Sequence, residues 1–287
     1  MRAIGPRGWL LAAAAACLAG PRLALGLGHG PAFGLATPTL GEGSWTNDAA
    51  VMTLTNSQGS SAMFRDMVGY GVTPDLQVNV SGPLSPTLGN LRRPPRTRVG
   101  AMMDAADEVE GSLMWRFQRR APAVGERYES TAFLSGGLPT EGARGGVQVG
   151  PEVNAALVTG YASRTIYWWL GGGWQRHFSS GGDRLGDLPY ISAVFGWRPL
   201  MFRRDYPKPD WRLFIESLGE FPGKDKIGGV LNPDSGGTKF LLGPSALGLY
   251  GSWGVEAGIL FPVYQQLNGT QNRELYRTIF DFTYWFD

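Results

Sequence analysis

The sequence predicts an all-β fold, a single closed antiparallel up-and-down transmembrane β-barrel of about 12 strands. Three observations support it. The run from Arg273 to Phe286 alternates a mostly aromatic, uncharged parity with a parity that mixes charged and apolar residues. Similar alternating segments, separated by turn residues, recur from Trp45 onwards. No run approaches the ~20 apolar residues of a membrane helix, whereas a barrel needs strands that are apolar towards lipid and polar towards the lumen.

Residues 1–26 have the composition of a signal peptide. Arg2 and Arg7 form a basic start, and the apolar stretch around Ala12–Ala16 is too short to span a bilayer. A cut near Gly26 fits the small-x-small rule for cleavage. The pattern therefore predicts an exported chain.

Two other interpretations of this end are a lipidated Cys17 and a buried N-terminal helix. Cys17 is the only cysteine of the chain, so its removal would leave no disulfide and no thiol chemistry. We expect residues 27–44 to form a periplasmic N-terminal segment and residues 45–287 to form the barrel. The expected location is the cell outer membrane of a Gram-negative bacterium.

The composition is typical of a barrel. The chain is 43% hydrophobic and has 43 glycines, ten tryptophans and ten tyrosines, which suits many short strands, turns and interfacial aromatic residues. The formal charge of +2 is too small to indicate nucleic-acid binding. The predicted partners are outer-membrane lipid, the barrel-assembly machinery during biogenesis and a small-molecule solute. The sequence gives no oligomeric state.

The alternation places the strands in chain order. Their predicted ranges are 45–56, 61–71, 75–84, 110–120, 127–136, 147–160, 165–178, 188–199, 211–221, 238–250, 253–264 and 273–286. In the fourth segment, for example, one parity is apolar and the other polar: Leu113, Trp115 and Phe117 against Glu110, Ser112, Arg116 and Gln118.

Two segments, 61–71 and 238–250, are ambiguous. In the first, Arg65 and Asp66 have opposite parity, so one of them must face lipid, lie at a rim or mark a bulge.

Connection lengths alternate as in outer-membrane barrels. With the mature N-terminus in the periplasm, short turns are predicted inside, at 71–74, 162–164 and 251–252. Longer connections are predicted outside, at 85–109, 137–146 and 222–237. The exception is 200–210, a long Arg/Pro-rich connection predicted in the periplasm.

Several motifs carry a resemblance to a known family. They include His29-Gly-Pro-Ala-Phe-Gly, Gly69-Tyr-Gly-Val-Thr-Pro-Asp-Leu-Gln, Thr159-Gly-Tyr-Ala-Ser-Arg and Gly243-Pro-Ser-Ala-Leu-Gly-Leu. From about residue 28 to its end the chain resembles the porin-like outer-membrane barrels grouped with the phenol-degradation MetA-pathway transporters. The resemblance implies a channel for passive passage of small solutes, with aromatic or hydrophobic ones among them. It supplies no catalytic motif, and we predict no enzyme activity and no cofactor.

The polar parities define a candidate lumen lining. Its residues are Glu110, Arg116, Arg120, Arg127, Glu129, Glu152, Tyr167, Trp169, His177, Arg198, Arg212, Glu216, Glu220, Glu256, Arg277 and Asp281. Opposed charges across a narrow lumen can select solutes. The alternative is a mutually neutralised ladder that fills a closed lumen, which would make the protein a structural or adhesive barrel.

Tyr167, Trp169, Gln175 and His177 share the inward parity of the seventh segment. Aromatic side chains inside a lumen would offer a stacking surface for aromatic or sugar-like solutes. Packing at the strand rim is the alternative, because the opposite face of this strand carries tryptophans too.

The two histidines, His29 and His177, give little support to catalysis or metal binding. A zinc site needs at least three converging ligands, so no metal is predicted; His29 could bind one weakly or cap a turn. A surface lipid hydrolase would need a Ser–His pair on the lipid-facing wall. His177 is near Ser179 and Ser180, but its parity points inward and the serines fall in a predicted loop.

The last charged pattern lies on the ninth segment, where Arg212, Glu216 and Glu220 share one face. We expect neighbouring strands to supply counter-charges such as Arg198, because an unpaired charge in a poorly hydrated lumen is costly. Replacing Glu216 with Gln is then expected to leave the barrel folded and to shift ion preference towards anions.

Overall fold

The computed structural model of the chain describes residues 30–83, 108–140, 143–144, 147–204 and 208–286. The predicted signal peptide, Cys17, His29 and nearly all of the connection 85–109 lie outside the described residues. No helix long and apolar enough to cross a membrane occurs in the described part of the chain.

Twelve antiparallel strands form one closed barrel. They are β1 Trp45–Asn56, β2 Gly59–Thr73, β3 Leu76–Pro83, β4 Glu108–Arg120, β5 Arg127–Pro139, β6 Glu152–Ala162, β7 Ile166–His177, β8 Leu188–Trp197, β9 Asp210–Glu220, β10 Gly237–Tyr250, β11 Trp253–Leu267 and β12 Glu274–Phe286. Each pairs with its neighbours in sequence, and β1 pairs with β12 from Trp45↔Phe286 to Asn56↔Glu274. The predicted all-β fold and its closure are confirmed.

One predicted strand begins later than expected. Segment 147–160 was expected to be continuous, but β6 starts at Glu152, and Val147–Gln148 pairs with Ala143–Arg144 in a short ribbon outside the barrel. Pro151 separates the two parts, and a proline cannot donate to a ladder of strand hydrogen bonds. A second ribbon pairs Lys226–Ile227 with Val230–Leu231.

The two ends of the barrel differ in their connections. The turn end, where residue 44 leads into β1, includes the connections 74–75, 163–165 and 251–252. The loop end carries the longer connections 140–151, 178–187 and 221–236, although β1 and β2 are joined there by residues 57–58 alone. The predicted long connection after β8 lies at the turn end, as residues 198–209.

Many residues that point outward from the barrel strands are apolar and exposed. Leu157 is 60% exposed, Trp174 57% and Ile215 51%. At the turn end aromatic rings contact one another: Trp45 and Tyr70 have ring centroids 4.5 Å apart, and Trp253 and Tyr284 4.2 Å apart. An apolar belt with an aromatic girdle at its edge is the surface that a lipid bilayer requires.

The ambiguity at Arg65 and Asp66 is resolved without a bulge, because β1 and β2 pair in continuous register. Arg65 lies on the inward face, 2.9 Å from Glu110. Asp66 lies on the outward face, opposite Ala49, and its Oδ1 accepts a hydrogen bond of 2.8 Å from the Asn47 side chain.

The core lies inside the barrel and includes residues that precede β1. The sequence predicts that residues 27–44 form a periplasmic N-terminal segment. In the structure residues 32–40 are mostly buried, and several of them are bound to the inner wall. We call residues 30–44 the luminal segment.

Candidate functional site: the lumen and the segment inside it

The luminal segment enters the barrel at the turn end, beside β2. Gly43 donates its backbone amide to the Gly71 carbonyl at 2.8 Å, and Gly71 donates to the Ser44 carbonyl at 2.9 Å. A Cβ at Gly71 would collide with the carbonyl oxygen of Gly41. Glycine at position 71 therefore allows the two backbones to approach closely.

Further up the lumen, wall side chains satisfy the backbone of the segment. Gln77 Oε1 accepts the Leu40 amide at 2.8 Å, and Thr131 Oγ1 donates to the Thr37 carbonyl at 2.6 Å. The Leu35 amide donates to Ser192 Oγ at 2.9 Å. Buried backbone groups need partners, and these inward polar side chains supply them in a segment that forms no strand.

The strongest attachment is at Glu216, near the middle of β9. Its carboxylate accepts three consecutive backbone amides, from Ala32 at 2.9 Å, Phe33 at 2.8 Å and Gly34 at 2.7 Å, together with the Ser245 hydroxyl. The Glu216 side chain is fully buried. Successive amides converging on one carboxylate form an anion-binding concavity, so the wall charge is stabilised by the segment rather than by a cation.

Apolar side chains of the segment pack on two parts of the wall. Leu35 joins the cluster that contains Trp169, Tyr190 and Phe214, whereas Ala32 and Phe33 join the cluster around Met52, Leu241 and Leu260. The segment thereby packs against the wall from β6 to β12 and against β1.

A cavity of about 170 Å³ remains beside the segment. The segment forms one of its walls, and inward residues of β1 to β6, β11 and β12 form the others. Its charged lining consists of Asp48, Arg65, Glu110, Glu256 and Asp281.

Most predicted lumen residues lie on the inward face. They are Glu110, Arg116, Arg127, Glu129, Glu152, Tyr167, Trp169, His177, Arg212, Glu216, Glu220, Glu256, Arg277 and Asp281. Only Glu110, Glu256 and Asp281 of this set line the cavity. The others pack against one another or against the segment.

Two of the predicted residues lie elsewhere. A register shift between Arg116 and Gln118 reverses the parity of β4, so Arg119 stands opposite the inward Glu129 and Arg120 stands opposite Tyr128. Arg120 is exposed at the turn end. This bulge is the physical reason why alternation fails for Arg120.

Arg198 lies just beyond the end of β8. Its Nε donates to Asp210 Oδ1 at 2.6 Å, so the prediction that Arg198 is a counter-charge on the face of Glu216 and Glu220 is wrong.

The counter-charges of Glu220 come from two other strands. Arg277 donates to both Glu220 oxygens, at 2.7 and 3.0 Å, and Lys239 Nζ lies 3.0 Å from Glu220 Oε2. Glu274 joins the same network through Arg277 and Lys239. Lys239 and Glu274 were not among the predicted lumen residues. A shift in the β1–β12 pairing turns Glu274 inward and leaves Leu275 51% exposed, the reverse of simple alternation.

The aromatic residues of β7 do not line an open surface. Tyr167 and Trp169 stack with centroids 5.8 Å apart, and the Arg212 guanidinium lies 5.4 Å from the Tyr167 ring centre. Trp169 Nε1 donates to Thr37 Oγ1 at 3.0 Å. These side chains pack beneath the luminal segment.

His177 lies on the inward face, with its Nε2 3.1 Å from Glu152 Oε2. It is 2% exposed. It therefore does not stand on the lipid-facing wall, where a surface hydrolase would need it. No group of three or more His, Cys, Asp or Glu residues that could hold a metal ion occurs among the described residues.

The fold is that of outer-membrane channels. The barrel superposes on an outer-membrane channel from Pseudomonas putida F1 with a TM-score of 0.58 at 10% identity, over 87% of this chain and 98% of that one. It superposes on the NanC porin with a TM-score of 0.51 at 6% identity, over 83% and 98%. The chain matches no protein-family model and no curated protein sequence.

Three inward residues that sequence reasoning missed, Gln77, Thr131 and Ser192, form hydrogen bonds with the segment itself. A fourth, Ser245, donates to Glu216, which holds the segment. Each lies on an inward parity, so alternation could have placed it inside. Nothing in a periodic pattern shows that a stretch before the first strand occupies the lumen.

Proposed function

We propose that the protein is an outer-membrane channel for passive passage of small solutes, with its lumen narrowed by its own luminal segment. The observation that carries the proposal is the cavity of about 170 Å³ left between the segment and the wall of a closed barrel with an apolar outer belt. The fold shared with outer-membrane channels supports it.

The location and processing belong to the same proposal. Residues 1–26 would direct export, the barrel would be assembled in the outer membrane of a Gram-negative bacterium by the barrel-assembly machinery, and lipid would surround the apolar belt. A catalytic role is not part of the proposal, because His177 faces the interior and contacts Glu152.

Aromatic or hydrophobic solutes are the class we favour. The resemblance to the phenol-degradation MetA-pathway transporters points to them, and the cavity wall includes Phe33, Met67, Met114, Phe133 and Ile279. An apolar cavity of ~150 Å³ is large enough to hold benzene. A solute with one aromatic ring therefore matches the space beside the segment.

A second candidate is a structural barrel with a closed lumen. Hydrogen bonds made by residues between Ala32 and Leu40 attach the segment to the wall, and Arg277 forms a buried ion pair with Glu220 towards the loop end. If the segment never moves, these groups brace the wall and nothing passes.

Conductance of the purified mature protein in a planar bilayer distinguishes the two functions. A channel shows discrete current steps, and a solute that enters the lumen reduces them. The protein is structural if it inserts into the bilayer and shows no discrete current, both as the full mature chain and without residues 30–40. The truncated form is the control for the case in which the luminal segment blocks the lumen throughout the recording.

A further inference from the structure

The cavity beside the luminal segment has an excess of negative charge. Of the five charged residues in its lining, four are carboxylates, Asp48, Glu110, Glu256 and Asp281, and one is a guanidinium, Arg65. Arg65 lies 2.9 Å from Glu110 and forms an ion pair with it. The other three carboxylates belong to the adjacent strands β11, β12 and β1.

Two of these carboxylates stand directly opposite each other. Glu256 on β11 and Asp281 on β12 are paired in register on the inward face. Like charges directly opposite on neighbouring strands are destabilising. A positive group in the cavity beside them would reduce this repulsion.

One oxygen of Glu256 lacks a hydrogen-bond partner. Glu256 is 4% exposed and lines the cavity, and its Oε1 is buried with no hydrogen-bond partner among the described residues. Asp48, in contrast, accepts hydroxyl hydrogen bonds from Thr46 and Thr283. A buried carboxylate oxygen without a donor is costly, and a cationic donor in the cavity would satisfy it.

The rest of the lining indicates what kind of cation fits. Phe33, Met67, Met114, Phe133 and Ile279 supply apolar surface within the same cavity, and the described acidic residues are not grouped closely enough to hold a metal ion. A cavity of about 170 Å³ accommodates a single aromatic ring with a short side chain. An ammonium group would face the carboxylates and the ring would face the apolar lining.

We propose that the cavity is a binding site for small organic cations, and that Glu256 is the residue that selects an aromatic amine over a neutral or anionic analogue. The inference rests on the proposed function in one respect: the solute reaches the cavity through the proposed channel. Binding to the purified protein can be measured without any measurement of conductance.

The test compares three probes of similar shape on the full mature protein in detergent: benzylamine, benzyl alcohol and benzoate. Calorimetric titration gives the dissociation constants. A charge-assisted hydrogen bond to a buried carboxylate corresponds to at least about tenfold in affinity. We expect benzylamine to bind at least about tenfold more tightly than benzyl alcohol, and benzoate to bind most weakly.

Variants identify the group responsible. Glu256→Gln retains the shape of the side chain and should remove most of the benzylamine preference. Glu42→Gln removes the same charge from an exposed residue at the turn end and should leave the preference intact. Ala50→Leu, which fills the cavity from β1, should weaken all three probes, and it provides the test if Glu256→Gln does not fold.

Three results would overturn the inference: equal affinities for the three probes, no binding of any of them, or an unchanged benzylamine preference in folded Glu256→Gln. The result of this binding test is independent of the result of the conductance test. Binding without conductance supports the cation site and contradicts the channel, whereas conductance without selective binding supports the channel and contradicts the site.

Discussion

The Glu216 carboxylate accepts the backbone amide of Gly34 at 2.7 Å, which joins the middle of the barrel wall to the segment inside it. Glu216 is fully buried beneath that segment and does not line the cavity. Its charge therefore does not face the space open to a solute. The sequence predicts that Glu216→Gln shifts the ion preference towards anions, and this prediction requires the Glu216 charge to face the solute. Because the charge does not, we expect a different effect of the same substitution.

Glu216→Gln should loosen the luminal segment and increase conductance. A glutamine presents one NH₂ group to backbone amides that are themselves donors, so at least one of the three hydrogen bonds is lost. The ladder of strand hydrogen bonds keeps the barrel folded. Single-channel recording of the mature protein measures the effect, with Glu42→Gln as the charge-matched control. Identical current in wild type and Glu216→Gln would show that these hydrogen bonds do not hold the lumen narrow.

Gly34→Ala should displace the same segment without any change of charge. A Cβ at this position would collide with Val194 Cγ2 and lie 2.9 Å from Ser192 Oγ, in a packed part of the lumen. We expect a cysteine placed at Ala36 to react faster with a maleimide in the Gly34→Ala background. Gly82→Ala on β3 is the control, because the nearest atom to its Cβ is 3.6 Å away. Equal reaction rates in both backgrounds would contradict this account of the segment.

Arg277→Met should destabilise the barrel. Arg277 is fully buried and pairs with Glu220 and Glu274, so its loss leaves these two carboxylates to share Lys239. Removing one partner of a buried ion pair costs about 3–5 kcal/mol. Urea unfolding in lipid vesicles, followed by tryptophan fluorescence, measures the difference. Arg198→Met removes a more exposed partner at the turn end and should cost less; equal losses would mean that burial of the network is unimportant.

A disulfide should form between the first and last strands. Thr53 and Thr278 are paired in register, with their hydroxyl oxygens 2.7 Å apart. The double variant Thr53→Cys/Thr278→Cys should cross-link on mild oxidation and change mobility in a denaturing gel. Thr53→Cys/Tyr284→Cys is the control, because Tyr284 pairs with Asn47 instead, roughly 20 Å along the strand. Cross-linking of the control alone would contradict the register.

The loop end should face the cell exterior. Val230→Cys, in the exposed ribbon between β9 and β10, should react with an impermeant maleimide on intact cells, whereas Ser252→Cys at the turn end should react only after lysis. Protease added to intact cells should likewise cut within 85–109 and spare 200–210. The reverse pattern would invert the orientation.

Alternation predicted the strands because a closed barrel separates lipid from lumen at every second residue, and each strand carries that period locally. Where the pairing register of a strand shifts, the two-residue period is interrupted, and alternation then assigns single residues to the wrong face. Arg120 is turned away from the lumen by the bulge in β4, and Glu274 is turned into it at the start of β12. A bulge inserts one extra residue into a strand and needs no particular sequence. The alternation of polar and apolar residues therefore does not reveal where a bulge occurs.

The sequence by itself determined the closed barrel of about twelve strands, most of its short and long connections and many of the inward charged residues. Only the tertiary structure decided what those residues contact. Glu220 meets Arg277 and Lys239, and Glu216 meets the backbone of Ala32 to Gly34. Those partners are separated by between 19 and 184 residues in sequence. They meet because closure of the sheet brings distant strands to one lumen and because a segment without strand periodicity folds into the space that closure creates.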